Sequence, residues 1–365
     1  MILYSWFKFR VLITIYRSTD HRNIFLIRLG VKMNFNRRNY PPTHGIRVPS
    51  EDMKQLVINL FTKVSMSVEN ARVMADLLVQ TDLHCVFSHG TKQLADYIRM
   101  IREGRVNPQP KIAVVSQSKS ALVLDGDGGM GHLPCYFGTQ QVISKAKEHG
   151  CATLTTRNHY HFGAAGKYTR IALVHDCIGI AISSHRISFG SEDVVSGSAP
   201  GSPMSIAIPS GEQPPLVLDM GGVLPYNPTL FEEYPSAIFK SMGLGAVMQS
   251  LGGILAGIYK PEFQKPKSPW ESNQGAFIAI FDVNHFMPVS ELKKEMDRYI
   301  NEARSMKPLP NMDQAELAGG LEWQWALENK QSGIPLSFEH QGILETVATE
   351  LAVDVPFNRY QHTRF

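Results

Sequence analysis

Between residues 112 and 281 the chain carries seven short strand-like runs, at 112–115, 121–124, 152–156, 178–182, 205–208, 216–218 and 276–281. Helical stretches at 139–147, 164–174 and 242–258 lie among them. Runs this short bury their apolar side chains only by sharing a sheet, and interleaved helices are what cover its faces. The pattern therefore predicts a mixed α/β core. Ahead of it, Met53, Leu56, Val57, Leu60 and Val64, then Ala71, Met74, Ala75 and Leu78, then Leu94, Tyr97, Ile98 and Ile101 repeat at helical spacing. Ser50 reads as the N-cap of the first of these helices, with Glu51 and Asp52 in its first turn, and Ser67 as the cap of the second. Asn107-Pro108-Gln109-Pro110 breaks the pattern, and helical spacing returns beyond residue 284 with Leu292, Met296, Tyr299 and Ile300, then Leu344, Val347 and Leu351. The expected organisation is an extension over 1–46, a helical domain built from 47–110 and 285–365, and an α/β domain over 111–284.

Composition narrows the function classes. With 43% hydrophobic and 19% charged residues in 365, the chain is neither disordered nor membrane-like in bulk. Its net charge of +3 conceals an asymmetry, because residues 1–47 hold nine Lys/Arg against the single acid Asp20. The remaining 27 Lys/Arg face 32 acids, so the body is mildly acidic and nucleic acid is not an expected partner. Four cysteines without a CxxC indicate neither a zinc knuckle nor a disulfide framework and fit a reducing, cytoplasmic setting. Residues 1–32, with Arg10, Arg17, Arg22 and Arg28 spaced through apolar residues, read either as an organelle presequence, which would make the protein mitochondrial, or as a stretch upstream of a second start at Met33. Residues 241–259 carry no charge, yet five glycines with Gln249 and Ser250 dilute them, so a buried helix is expected there rather than a membrane span.

Gly126-Asp127-Gly128-Gly129-Met130-Gly131 satisfies the G-x-G-x-x-G spacing by which backbone amides approach a pyrophosphate. A Rossmann unit also needs a second strand ending in an acid, and here the next strand ends in Thr156-Arg157-Asn158. The hexapeptide is read as a glycine-rich turn that binds no nucleotide. Two histidines in glycine-flanked turns say more: Ser88-His89-Gly90, and Asn158-His159-Tyr160-His161-Phe162-Gly163. An imidazole near neutral pKa can donate or accept a proton, and an adjacent serine can fix its tautomer, though histidines in such turns also serve as helix caps. No HExxH is present, and no metal is expected.

The segments DLHCVFSHG, DGDGGMG, RNHYHFGAAGKY, IGIAIS, SPMSIAIP, VLDM, KSMGLG and SGIPL, taken in order, resemble the malate/L-lactate dehydrogenase-type oxidoreductase family. That family includes ureidoglycolate and sulfolactate dehydrogenases and cyclic imino-acid reductases. The resemblance spans about residues 47–355. It implies a non-Rossmann, NAD- or NADP-binding mixed-sheet domain over 111–284, packed with the helical domain, in a homodimer. It also implies roles. His89 would be the proton donor with Ser88 as relay partner, His161 a general acid/base, and Tyr97 a neighbour of the substrate. His185, Asp219, Met220, Gly221, Lys240, Ala318, Gly319 and Gly320 would bind the cofactor. Three departures stand out. Gln93 occupies the position of the family's substrate-clamping arginine, His84 and Phe87 replace an arginine and an aspartate, and the segment between Asp219 and Lys240 is shorter, so the relay aspartate has no counterpart unless Glu232 or Glu233 substitutes. The implied activity is hydride transfer between nicotinamide and a 2-oxo/2-hydroxy acid of malate, lactate or ureidoglycolate type, or a cyclic imine. A catalytically impaired member that serves as a binding or structural dimer is the alternative.

Overall fold

The computed structural model describes residues 39–199, 201–222, 224, 227–261, 272–310 and 312–365. The proposed presequence and the Met33 start lie outside them. The described chain is one compact unit beginning at Asn39, so the fold starts ahead of residue 47.

Seven strands form one sheet: β2 (Ala113–Gln117), β3 (Ala121–Asp125), β4 (Cys151–His159), β5 (Cys177–His185), β6 (Pro203–Ile208), β7 (Leu216–Gly221) and β8 (Gln274–Asp282), in the order β2-β3-β4-β8-β5-β6-β7. β3 and β4 are parallel, while β8 runs antiparallel to both β4 and β5. β6 is antiparallel to β5 and to β7. It follows that β3, β4, β5 and β7 point the same way and end together, at Asp125, His159, His185 and Gly221. In open α/β sheets that carboxyl edge is where ligands sit. The sheet is mixed, as the family resemblance implies, and is not the doubly wound parallel sheet of a Rossmann domain.

Helices α4 (His132–His149) and α5 (Gly166–Leu173) cover one face, around Leu122, Leu124, Leu154, Tyr168, Ile278 and Ile280. α7 (Pro235–Gln249), which follows the short α6 (Pro228–Glu233), continues into a π-helical turn at Ser250–Leu255 and covers the other, where Met248 meets Ile182 and Met204. The uncharged stretch is thus only partly buried: Gly245, Met248, Ala256 and Ile258 face the protein, whereas Val247, Ile254 and Leu255 are more than half exposed. α4 begins directly after Gly131, ahead of the expected residue 139, because Pro134 falls in the first turn, where no backbone donor is lost.

The helical layer comprises α1 (Ser50–Lys63), α2 (Val68–Leu83), α3 (Leu94–Arg102), α9 (Gly320–Ser332) and α10 (Phe338–Glu350). Leu60, Phe61, Leu78, Leu94 and Leu344 share its core with the antiparallel β1 (Ile46–Val48) and β9 (Ile334–Leu336), a pair too short to announce itself in sequence. Ser67 caps α2 by accepting from the Asn70 amide at 3.2 Å. Ser50 makes no cap; it is the first helical residue, behind Pro49. α8 (Val289–Arg304) is tied to the β6–β7 connection by Asp297, whose carboxylate accepts from the amides of Gly211, Glu212 and Gln213.

Candidate active site

The Ser88-His89 turn is held from below by Asp82, a fully buried carboxylate near the end of α2. Both its oxygens accept from the Thr91 amide at 3.2 Å, and Oδ2 accepts from Thr91 Oγ1 at 2.5 Å. The Thr91 hydroxyl in turn meets His340 Nε2 of α10 at 2.9 Å. A side chain at residue 90 would collide with the Asp82 carboxylate, so Gly90 lets the turn close onto it. Burial pushes the Asp82 carboxyl upward against the pull of the Thr91 hydrogen bonds. Above this base, Ser88 Oγ lies 2.9 Å from His89 Nδ1. Gln93 turns its amide back to donate to the Ser88 carbonyl at 2.8 Å. The residue at the family's arginine position therefore braces the turn.

The second histidine turn follows β4. Here the glycine motif finds its use. The amides of Gly126 and Gly128 donate to Arg157 O and Asn158 O, that of Gly129 to Gly126 O and that of Gly131 to His161 O, while Gly129 O receives the Tyr160 amide. A Cβ at Gly131 would strike the Tyr160 carbonyl and approach His159 Nδ1 to 2.5 Å. These glycines permit two backbones to lie against each other, and their amides are already used within the protein. The clasp sets His161, whose Nδ1 lies 2.7 Å from the Tyr97 hydroxyl of α3. The His89 and His161 rings are 5.6 Å apart, and His132, at the start of α4, stands 5.6 Å from Tyr97 and 6.3 Å from His161. Burial holds His161 down to about 3, aided by the nearby His89 and Lys167, and burial holds the Tyr97 phenol protonated.

Lys167 on α5 completes the group. It is 7% exposed, and its ammonium donates to the His89 carbonyl at 2.8 Å with His132 Nε2 at 3.5 Å. Lys167 also lines a cavity of about 480 Å³ between α2, α5 and β7, walled by Leu77, Val217 and Trp323 and carrying Asp219 and Gly319. Asp219 lies 3.8 Å from Arg170, and Gly166 gives the room this needs, since a Cβ there would strike the carboxylate. Burial raises Asp219, opposed by Arg170 and the Gly166 amide.

The cofactor residues implied by the resemblance fall into two sets. Asp219, Ala318, Gly319 and Gly320 gather on the α5 side: the Val217 amide donates to Ala318 O at 2.9 Å, and Gly319 adopts φ +90° tight against Val217. Met220, next along β7, packs with Met204 and Met248 on the α7 side. Gly221 and His185 end their strands exposed, and Lys240 is exposed on α7. A flat group bearing hydroxyls fits the first set, with a carboxylate to accept from hydroxyls and Trp323 and Val217 to cover a ring face. No group of three metal-ligating side chains occurs among the described residues.

Sequence reasoning missed Asp82, His132 and Lys167. For Asp82 the available signal was a charge on an otherwise apolar helix face, beside Leu78 and Val79, whereas Lys167 shares its face with Arg170 and offered none.

A mixed seven-stranded sheet, with a histidine pair at its carboxyl edge and an adjoining cavity, is a framework other than a Rossmann domain. Over residues 48–223 and 226–343 the chain matches the malate/L-lactate dehydrogenase family and belongs to it. The match is interrupted at residues 224–225, within the Asp219–Lys240 segment. Malate dehydrogenase of Pyrococcus horikoshii is 27% identical over 356 residues, covering 87% of this chain and 99% of its own length. Its solved structure superposes with a TM-score of 0.73 over 87% of this chain and 98% of that one. L-sulfolactate dehydrogenase of Methanocaldococcus jannaschii is 26% identical over 84% of this chain and 97% of its length. Ureidoglycolate dehydrogenase (NAD(+)) of Escherichia coli O157:H7 is 22% identical over 75% and 88%.

Proposed function

We propose that this chain is an NAD(P)-dependent dehydrogenase that moves a hydride between nicotinamide and a small 2-oxo/2-hydroxy acid. The observation that carries this reading is the His89–His161–Tyr97 cluster at the carboxyl edge, joined through Lys167 to the cavity that holds Asp219 and Gly319.

Asp219, Ala318, Gly319 and Gly320 would hold the cofactor, with His185, Met220 and Gly221 at the strand ends and Lys240 on α7 as its remaining candidates. When bound, the nicotinamide gives or takes a hydride at C4. The protein's own work is to manage the matching proton. In the oxidative direction a neutral imidazole takes the proton of the substrate hydroxyl, and in the reductive direction the imidazolium returns it to the developing alkoxide. His89 would do this, with its Nδ1 held against Ser88 Oγ. His161, held neutral by burial, supports it with a ring whose orientation Tyr97 sets. The helical layer and the sheet together enclose these groups, which strengthens each polar contact. A homodimer would give the exposed Phe239, Val247, Ile254 and Leu255 of the α7 segment an apolar partner surface.

Gln93 favours the second reading, a member that binds but does not turn over, because its amide is committed to Ser88 O and offers no charge to a substrate acid group. The deciding experiment follows NADH and NADPH absorbance against 2-oxo acids and cyclic imines. Substrate-dependent oxidation supports the dehydrogenase, and its absence throughout the panel supports the binding protein.

A further inference from the structure

Resting on the dehydrogenase reading, we infer that Lys167 is the residue that binds the carboxylate of the substrate, in the place of the charge that Gln93 lacks. An ammonium carries three N–H donors, and burying it is costly unless they meet acceptors or a counter-charge. At Lys167 one donor is well used, on the His89 carbonyl at 2.8 Å, and His132 Nε2 stands at the outer limit, 3.5 Å away. The two acids whose charge reaches it are both engaged elsewhere: Asp82 by the Thr91 amide and hydroxyl, Asp219 by Arg170. A buried cation whose neighbouring anions are already bound is electrostatically incomplete. A ligand carboxylate completes it.

The position is right for this. A Cβ at Gly163 of the His161 turn would come within 2.6 Å of His132 Nε2 and 2.7 Å of Nζ, so a glycine there lets the ammonium lie against this turn, while the cavity that Lys167 also lines is the open side from which a ligand reaches it. Nζ is also fixed to the backbone of His89, so a carboxylate on Lys167 would put the neighbouring carbon within reach of the proton-handling ring. Lys92, the other cation near this turn, is drawn off to Glu339 at 2.8 Å. Burial lowers the Lys167 pKa to about 7, opposed by Asp82 and Asp219. An arriving anion would favour its charged form.

The test uses oxamate, a carboxylate with a carbonyl that accepts no hydride, titrated calorimetrically into the full-length protein with NADH present. Wild type should bind it, Lys167→Met should weaken binding by about 30- to 300-fold, and Lys167→Arg should recover part of the loss. Turnover of a 2-oxo acid against its amide separates this role from bracing of His89: Lys167→Met should raise KM for the acid and lower kcat/KM for the acid about 30-fold more than for the amide. Equal oxamate binding by a folded Lys167→Met protein overturns the assignment. So does a loss confined to NADH affinity, which would give the lysine to a cofactor phosphate, or an equal loss on acid and amide. If wild type binds oxamate through Lys167 but reduces nothing in the panel, the dehydrogenase reading fails and the carboxylate site stands.

Discussion

Tyr97 is one of the side chains through which the helical layer reaches the site, and it is 2% exposed with its hydroxyl on His161. Tyr97→Phe removes one hydrogen bond and almost no packing. The expected outcome is a stability loss of about 1 kcal/mol and a fall in kcat of about 10- to 100-fold, with KM little changed. An unaltered kcat would take His161 out of the proton path. His89→Ala should cost about two to four decades in kcat while fluorescence titration shows NAD(P)H affinity unchanged. For the cofactor, Asp219→Ala should weaken NAD(P)H binding by about 1–3 kcal/mol. Lys240→Ala should weaken it less, because Lys240 is exposed while Asp219 lines the cavity. The reverse ranking would move the cofactor to the α7 side.

At the scale of elements, the clasp between the glycine turn and the turn after β4 positions His161. Gly131→Ala forces a Cβ onto the Tyr160 carbonyl and should lower stability by about 1–3 kcal/mol in urea unfolding. Gly243→Ala, in the interior of α7 with open space around it, should raise stability by about 0.5–1 kcal/mol. Equal effects would mean that the clasp yields freely. This contrast also shows what could be read from sequence. The strand-like runs, the Ser88-His89 and His161 turns, and the discounting of the G-x-G-x-x-G were all legible because each depends on local spacing or on a missing neighbour. Lys167 lies 78 residues from His89, and Thr91 lies 249 from His340, so no local pattern marks either contact. The half-exposed face of α7 was misread for a related reason: hydropathy reports that a segment is apolar and is silent about what covers it.

For the whole molecule, buried imidazoles make stability depend on pH. Burial holds His84, His161 and His340 near 3 and His159 near 4 in the folded state, against 6.5 unfolded. Unfolding therefore takes up protons below pH 6.5, and stability should fall as pH drops from about 6.5 toward 4. Asp82 and Asp219 work the other way over part of that window, since their raised carboxyls favour the folded protein at lower pH, but two carboxyls stand against these four imidazoles and against His132 and His185, which burial also holds down. Thermal melts between pH 7 and pH 4.5 should show a steady decrease in Tm, and a flat profile would mean that these histidines are not buried as described. The most direct measurement of the central claim is NADH and NADPH oxidation by wild type and His89→Ala with 2-oxo acids and cyclic imines. The structure predicts substrate-dependent oxidation by wild type that falls by about two to four decades in the variant; a folded wild type that oxidises neither cofactor with any substrate, or a His89→Ala protein as active as wild type, would contradict it.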